Sequence, residues 1–293
     1  MRNFAVCKSN KSVKIQQVLC ALERFAPLPL QEDWDNAGLQ IGLTEAEVSG
    51  ALLCLDVTER VIDEAVEKGC NLVVSHHPLL FRGLKQVADL NDVQRTVRKA
   101  IKADICVISM HTNMDNAPGG VNWKIAEHLG AESIVAGPAY SGNHVKSDMA
   151  GDNTKDLSTD GTEHKERVPW VMATMPYPIS SSDFIQSVKD RFGAASIHCN
   201  EMLKRPIRTV AICGGAGDFV LDAAIDKGAD AFITGEMHYH QYFGHEQQIQ
   251  ICVIGHYESE QFTTEIFRDI INRECPGVKT LIAQTRTNPI HYY

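Results

Sequence analysis

Val61-Ile62-Asp63-Glu64-Ala65-Val66-Glu67-Lys68-Gly69-Cys70-Asn71-Leu72-Val73-Val74-Ser75 reads as a helix that runs into a strand. Its first eight residues carry apolar side chains at helical spacing. Gly69 then stops the helix, and Leu72-Val73-Val74 is a short apolar run of strand length. The same text returns at Val220-Leu221-Asp222-Ala223-Ala224-Ile225-Asp226-Lys227-Gly228-Ala229-Asp230-Ala231-Phe232-Ile233-Thr234. The Asp, Ala, Lys and Gly positions match at one constant offset. A second echo follows in the same order: Ile105-Cys106-Val107-Ile108 returns as Ile251-Cys252-Val253-Ile254. Echoes in the same order point to an internal duplication, each half supplying a helix–strand unit and then another strand.

Working outward, short apolar runs alternate with helical periodicity. Helices are expected near 12–25, 59–68, 91–102, 120–129, 181–192, 217–227, 237–247 and 258–273. Strands are expected near 51–56, 71–75, 105–110, 169–175, 207–213, 230–234, 250–255 and 278–283. Residues 140–167 interrupt the pattern with Gly, Asn, Asp and Ser and few large apolar side chains, the composition of a disordered insertion. The fold class expected is α/β, with two related domains facing each other across a metal-binding cleft. The first domain is 1–139, the insertion 140–167 and the second domain 168–293.

The chain has 293 residues, is 44% hydrophobic and carries a formal charge of −9. That charge argues against direct nucleic-acid binding and leaves room for a small anionic substrate in a local pocket. No apolar run approaches the ~18 residues of a membrane span. Nine cysteines form no CxxC pair, and Cys54, Cys70, Cys106, Cys213 and Cys252 sit in or beside apolar runs as core thiols do, which reads as a reducing compartment, the cytoplasm first and the nucleus second. Arg2, Lys8, Lys11 and Lys14 with no acid before residue 23 resemble a mitochondrial leader. An amphipathic helix over 12–25 explains most of that texture, so mitochondrial targeting ranks lower.

The chemistry sits after the strands. His76 and His77 follow Val73-Val74-Ser75 and precede Pro78. Neighbours on a strand point to opposite faces, so two imidazoles converge only where the strand stops, and Pro78 marks that stop. His111-Thr112-Asn113-Met114-Asp115 follows the next strand. In the second half, Gly235-Glu236-Met237-His238 and His256-Tyr257-Glu258-Ser259-Glu260 hold the corresponding places. Open α/β sheets bind ligands at strand carboxyl ends. His256 and Glu260 stand at i and i+4, one face of a helix. Taken singly, each has an ordinary reading: a helix-start histidine, a solvated glutamate, an Asp115 that forms a turn. Taken together, His76, His77, Asp115, His256 and Glu260 offer three imidazoles and two carboxylates. That is enough for two open metal sites per chain with a bridging carboxylate, and mixed N/O ligation suits Zn, Mn or Fe. Glu236 and His238 are candidates for proton transfer, with metal-ligand support or substrate contact as the alternative, and His111 is in the same position. Gly214-Gly215-Ala216-Gly217-Asp218 lacks a clean GxGxxG and reads as a tight strand-to-helix turn. Asp33-Trp34-Asp35-Asn36-Ala37-Gly38-Leu39-Gln40-Ile41-Gly42 reads as a loop near the cleft.

Five blocks in order are similar to a known family. They are Glu32-Asp33-Trp34-Asp35-Asn36-Ala37-Gly38-Leu39-Gln40-Ile41-Gly42, Ser75-His76-His77-Pro78, His111-Thr112-Asn113-Met114-Asp115, Thr234-Gly235-Glu236 and Gly255-His256-Tyr257-Glu258-Ser259-Glu260. They resemble the signatures of the NGG-one-interacting-factor-three-like proteins, also labelled GTP cyclohydrolase I type 2 homologues. The resemblance runs from about residue 12 to the C-terminus. It implies a dinuclear metal centre whose ligands fall on His76, His77, Asp115, His256 and Glu260, and a ring-shaped homo-oligomer, typically hexameric. It implies that Thr287-Asn288-Pro289-Ile290-His291 closes near the metal cleft. Some members carry an extra domain where this chain has only 140–167. The expected function is a metal-dependent hydrolase acting on a nucleotide-like or phosphorylated small molecule, with GTP cyclohydrolase-like ring opening included. The alternative is a regulatory protein partnering transcription cofactors, with a structural or sensory metal centre.

Overall fold

The computed structural model describes residues 12–138 and 167–293, so the expectations for the N-terminal tail and for 140–166 lie outside the described residues. In chain order the elements are α1 (Ile15–Phe25), β1 (Gly38–Ile41), β2 (Ala51–Cys54), α2 (Glu59–Glu67), β3 (Leu72–Ser75), α3 (Asp92–Lys102), β4 (Cys106–Ser109) and α4 (Thr112–Asp115). Next come α5 (Val121–Leu129), β5 (Ser133–Ala136), β6 (Val171–Ile179), α6 (Ser181–Phe192), β7 (His198–Cys199), β8 (Ile207–Cys213), α7 (Leu221–Asp226), β9 (Ala231–Thr234), β10 (Gln250–Val253) and α8 (His256–Glu260). The chain closes with α9 (Thr263–Glu274) and β11 (Thr280–Ile282).

These elements form two compact units, and the cut differs from the one expected at 139 and 168. Among the described residues, one unit holds those up to Met114 together with Gln261–Tyr293, and the other those between Asp115 and Glu260. The physical reason is strand pairing. β11 lies parallel to β2, with Ala51 opposite Thr280, which returns the C-terminus to the first sheet. The Glu64 carboxylate fastens that return by accepting from Gln284 N and Thr285 N, each at 2.8 Å. Conversely, β5 pairs with β6, so residues 133–136 belong to the second sheet.

The first sheet runs β1-β4-β3-β2-β11 and the second β5-β6-β8-β9-β10-β7. Their centres are alike. β2, β3 and β4 are parallel, with Cys54 opposite Ser75 and Ser75 opposite Ser109. β8, β9 and β10 are parallel too, with Cys213 opposite Thr234 and Thr234 opposite Val253. All three strands of each trio therefore end level, and whatever follows them emerges along one edge. The duplication is thus visible in the registers. One detail shifts: the strand pairing makes Cys106 the counterpart of Gln250, two residues off the textual echo of Cys106 with Cys252. A two-residue slip keeps each side chain on its face, so the echo survived it.

The apolar runs read as strands because both faces are covered. Leu52, Val73 and Val107 pack with Val61, Ile62, Ala65, Val97 and Ala100 in one core. Ala211, Phe232 and Ile251 pack with Trp170, Val220, Leu221 and Ala224 in the other. Burying a side chain such as Phe232 contributes roughly 1.5–3 kcal/mol. Caps fix the helix starts: Thr58 Oγ1 accepts from Val61 N at 3.3 Å, and Asn91 Oδ1 from Gln94 N at 2.9 Å. The helix expected at 237–247 is only a 3-10 turn at Tyr239–Tyr242, since Gly244 and Gln247 both take positive φ. The helix expected at 258–273 is two, α8 and α9. No helix among the described residues is long and apolar enough to cross a membrane.

Candidate metal centre

In the first unit β3 ends at Ser75, and the chain bends over the end of β2. His76 N donates to Cys54 O at 3.3 Å and His77 N to Leu55 O at 3.0 Å. Ser75 Oγ lies 2.8 Å from Ser109 Oγ and donates to His77 O at 2.9 Å, which sets the bend. Beyond the strand the alternation rule lapses, and the His76 and His77 rings stand 4.9 Å apart. His111, just past β4, joins them at 5.3 and 5.4 Å. The three residues present ligand atoms within 4.8 Å of one another.

Each imidazole is held by one nitrogen. His76 Nδ1 donates to Met110 O at 2.9 Å, His77 Nδ1 to Asp56 Oδ1 at 2.7 Å and His111 Nδ1 to Asp35 Oδ1 at 2.7 Å. A carbonyl or carboxylate can only accept, so Nδ1 is the donor in each pair. Burial pushes the Asp35 carboxyl up, but hydrogen bonds from His111, Thr112 and Asn36 outweigh it and bring it down to about 2. Asp56 follows the same pattern. Burial raises it, and His77 with the Thr287 hydroxyl bring it below the usual carboxylate value. Thr287 Oγ1 donates to Asp56 Oδ2 at 2.6 Å, so the C-terminal segment braces the brace of His77.

In the second unit, His256 opens α8 and Glu260 closes it. Their i, i+4 spacing puts His256 Nε2 3.0 Å from Glu260 Oε2. Glu260 is almost fully buried. Asp115 offers a carboxylate oxygen within 4.8 Å of one on Glu260. Glu236 Oε1 accepts from His256 Nδ1 at 2.8 Å, the arrangement seen at His77 and His111. Gly215 clears space for this group: it has φ +60°, and a Cβ there would lie 2.3 Å from Glu260 Oε1. The Gly214–Gly217 turn is thus a strand-to-helix turn as read, and Gly215 O accepts from Gly235 N and Glu236 N, each at 2.9 Å. Burial, reinforced by Asp115, Glu260 and Asp218, pushes the Cys213 thiol well above its ordinary value.

The expected ligands therefore gather within each unit, His76 with His77 in one, Asp115 with His256 and Glu260 in the other. Glu236 orients His256. His238, the other candidate for proton transfer, points Nδ1 at Asp218 Oδ2 at 3.0 Å with its side chain 89% exposed. Sequence reasoning missed Asp56 and the anchoring role of Asp35. Asp56 carried a usable signal, since it follows a strand's carboxyl end as the histidines do. Asp35 was visible only as one polar residue in a loop.

The family model for Duf34/NIF3 (NGG1p interacting factor 3) matches residues 13–289. The chain belongs to the DUF34/NIF3 family. A relative named GTP cyclohydrolase 1 type 2 homolog, from Clostridium acetobutylicum, is 31% identical over 85% of this chain and 86% of its own length. One of the same name from Clostridium perfringens is 31% identical over 96% of this chain and 100% of its own. Among solved structures, a hypothetical protein of Staphylococcus aureus matches with TM-score 0.81 and 26% identity, over 96% of this chain and 100% of that one. A Bacillus cereus protein described as related to NIF3 matches in fold at TM-score 0.79 and 22% identity, over 97% and 100%.

The donor set of this NIF3 family member fits a divalent cation. Carboxylates or a carbonyl that accept from Nδ1 are the usual partners of metal-ligating histidines, because the second bond fixes the tautomer and the ring. The clustered Asp115 and Glu260 carboxylates supply the negative charge that a cation would offset.

Proposed function

We propose that His76, His77, Asp115, His256 and Glu260 hold two divalent cations per chain, of Zn, Mn or Fe, and that the protein is a hydrolase. Its substrate would be a nucleotide-like or phosphorylated small molecule. The observation that carries this reading is the set of Nδ1 anchors, Met110 O on His76, Asp56 on His77 and Glu236 on His256. Three separate chain segments each spend a polar group to hold an imidazole at Nδ1, and the His256 Nε2 faces Glu260 Oε2 at 3.0 Å. The relatives' name, GTP cyclohydrolase 1 type 2 homolog, supports a nucleotide-like substrate.

When bound, such cations supply Lewis acidity and acidify water. The chain's own residues do the rest. His111 has its Nδ1 proton held by Asp35 and presents Nε2 beside His76 and His77, so Nε2 takes the proton from the attacking water. Asp35 stays ionised through the reaction, since its carboxyl is held near 2. Glu236 orients His256 and keeps its tautomer. Self-association into a ring belongs to the same reading, and sedimentation velocity measures it.

The test is turnover of GTP and other nucleotides by protein loaded separately with Zn, Mn or Fe. Metal-dependent ring opening or phosphate release is expected. Asp115→Ala should lose metal and turnover together. His111→Asn should keep the metal and lose about 10²–10⁴-fold in rate. Full metal loading with no turnover on any nucleotide would reject the hydrolase and favour a regulatory partner of transcription cofactors.

A further inference from the structure

Two aromatic side chains stand exposed beside the histidine group. Trp34 is 61% exposed and Phe81 is 44% exposed. Their rings meet edge-on with centroids 5.8 Å apart, and they lie 6.1 and 6.2 Å from the His111 ring. Phe81 also forms a wall of a cavity of about 660 Å³, which Leu84, Val87 and Ile101 line with Asn36 and Gln40. That volume lies within the range of small-molecule sites, about 300–1,000 Å³.

The loops that carry the two rings are tied together. Asn36 Nδ2 donates to Leu80 O at 2.7 Å, and Leu80 N donates to Gln40 Oε1 at 3.1 Å. Gln40 Nε2 donates to Asn36 O at 2.7 Å. Asp35 N donates to Glu32 O at 3.0 Å, closing the turn that presents Trp34. The rings are therefore pre-positioned, and little ordering entropy is lost when a ligand settles on them. The same bonds engage both ends of the Gln40 amide and the Nδ2 of Asn36. Toward the cavity Phe81 offers π surface and Leu84, Val87 and Ile101 an aliphatic wall, surfaces that grip a flat ring.

We infer that Trp34 and Phe81 form an aromatic corner, one ring offering its face and the other its flank, for the planar heteroaromatic ring of the substrate, indifferent to which base it is, with the substrate's polar end directed toward His111. This rests on the nucleotide-like reading of the same site and names the half of the substrate it leaves open. Stacking on an aromatic side chain is sequence-tolerant because every base has a π face.

The experiment is calorimetry and tryptophan fluorescence on the full chain, zinc-loaded and chelator-treated, with GMP, AMP and ribose 5-phosphate as probes. The sequence has three tryptophans; Trp170 is fully buried, Trp123 partly buried and Trp34 exposed, and Trp34→Phe isolates the signal of Trp34. GMP and AMP should bind within about threefold of each other and quench emission, and ribose 5-phosphate should not quench. Trp34→Ala and Phe81→Ala should each weaken both nucleotides about tenfold and leave ribose 5-phosphate within about twofold. Trp34→Phe should keep the affinity and lose most of the quench. Wild-type nucleotide affinity in Trp34→Ala would overturn the inference. So would an equal loss for all three probes, or a changed sedimentation coefficient with unchanged affinity, which would make the pair a subunit contact. Ring-dependent binding with no turnover supports this aromatic corner while rejecting the hydrolase. Turnover unaffected by either alanine variant does the reverse.

Discussion

Replacing Asp35 by Asn should loosen His111 by a calculable amount. Asp35 Oδ1 accepts from His111 Nδ1 at 2.7 Å and from its neighbour Asn36 N at 2.7 Å, and Oδ2 accepts from Thr112 N at 3.0 Å and Thr112 Oγ1 at 2.5 Å. Its side chain is fully buried. The carboxyl sits at about 2 against an ordinary 3.8, a displacement worth about 2.5 kcal/mol of folding stability. The sign follows from the depressed value. The folded state favours the charged form, so the contribution is complete well above pH 4 and fades as pH falls toward 2. About half of it remains at pH 3. The neutral amide keeps the shape and loses the charge. Chelator-treated Asp35→Asn should melt roughly 5–10 °C below wild type at pH 6, and the gap should be about half as large at pH 3. A variant that melts within about 1 °C of wild type at pH 6, or a gap that widens in acid, would refute the reasoning.

Asp56→Asn weakens the anchor on His77, and zinc affinity measured by chelator competition should fall about 10- to 100-fold. Gly215→Ala places a Cβ against Glu260 Oε1 at a residue with φ +60°, and Glu260 is buried and held by His256. It should lower stability by about 1–3 kcal/mol and reduce bound metal, read by thermal melting and elemental analysis. In a thiol-labelling time course followed by mass spectrometry at pH 7, Cys20, exposed among the described cysteines, should react well before Cys54 and Cys213. Cys54 and Cys213 should react only on unfolding, because burial pushes both thiols well above their ordinary value. Fast labelling of either would contradict the packing of the two cores.

The sequence was most legible where periodicity and burial agree. Val61–Ser75 and Val220–Thr234 showed helix, stop and strand, and the parallel trios are built on them. His76 with His77 was readable because adjacency on a strand demands an explanation, and His256 with Glu260 because i, i+4 is a helical contact. What escaped depends on partners remote in the chain. β1 hid in a loop-like stretch because it is a short edge strand, antiparallel to β4 and interrupted by a bulge between Leu39 and Ile41. The domain cut escaped because β11 is only three residues long and belongs with β2, more than two hundred positions earlier. Asp35 and Asp56 escaped because an aspartate in a loop has a local explanation as a turn-former. Only their 2.7 Å contacts with His111 and His77 give them another.

Elemental analysis of chain purified without added metal tests the central claim most directly, with His77→Ala and His256→Ala measured beside the wild type. About two divalent cations per chain are expected, with a clear loss in both variants. Less than about half an equivalent in the wild type, or full metal content in either variant, would contradict the account.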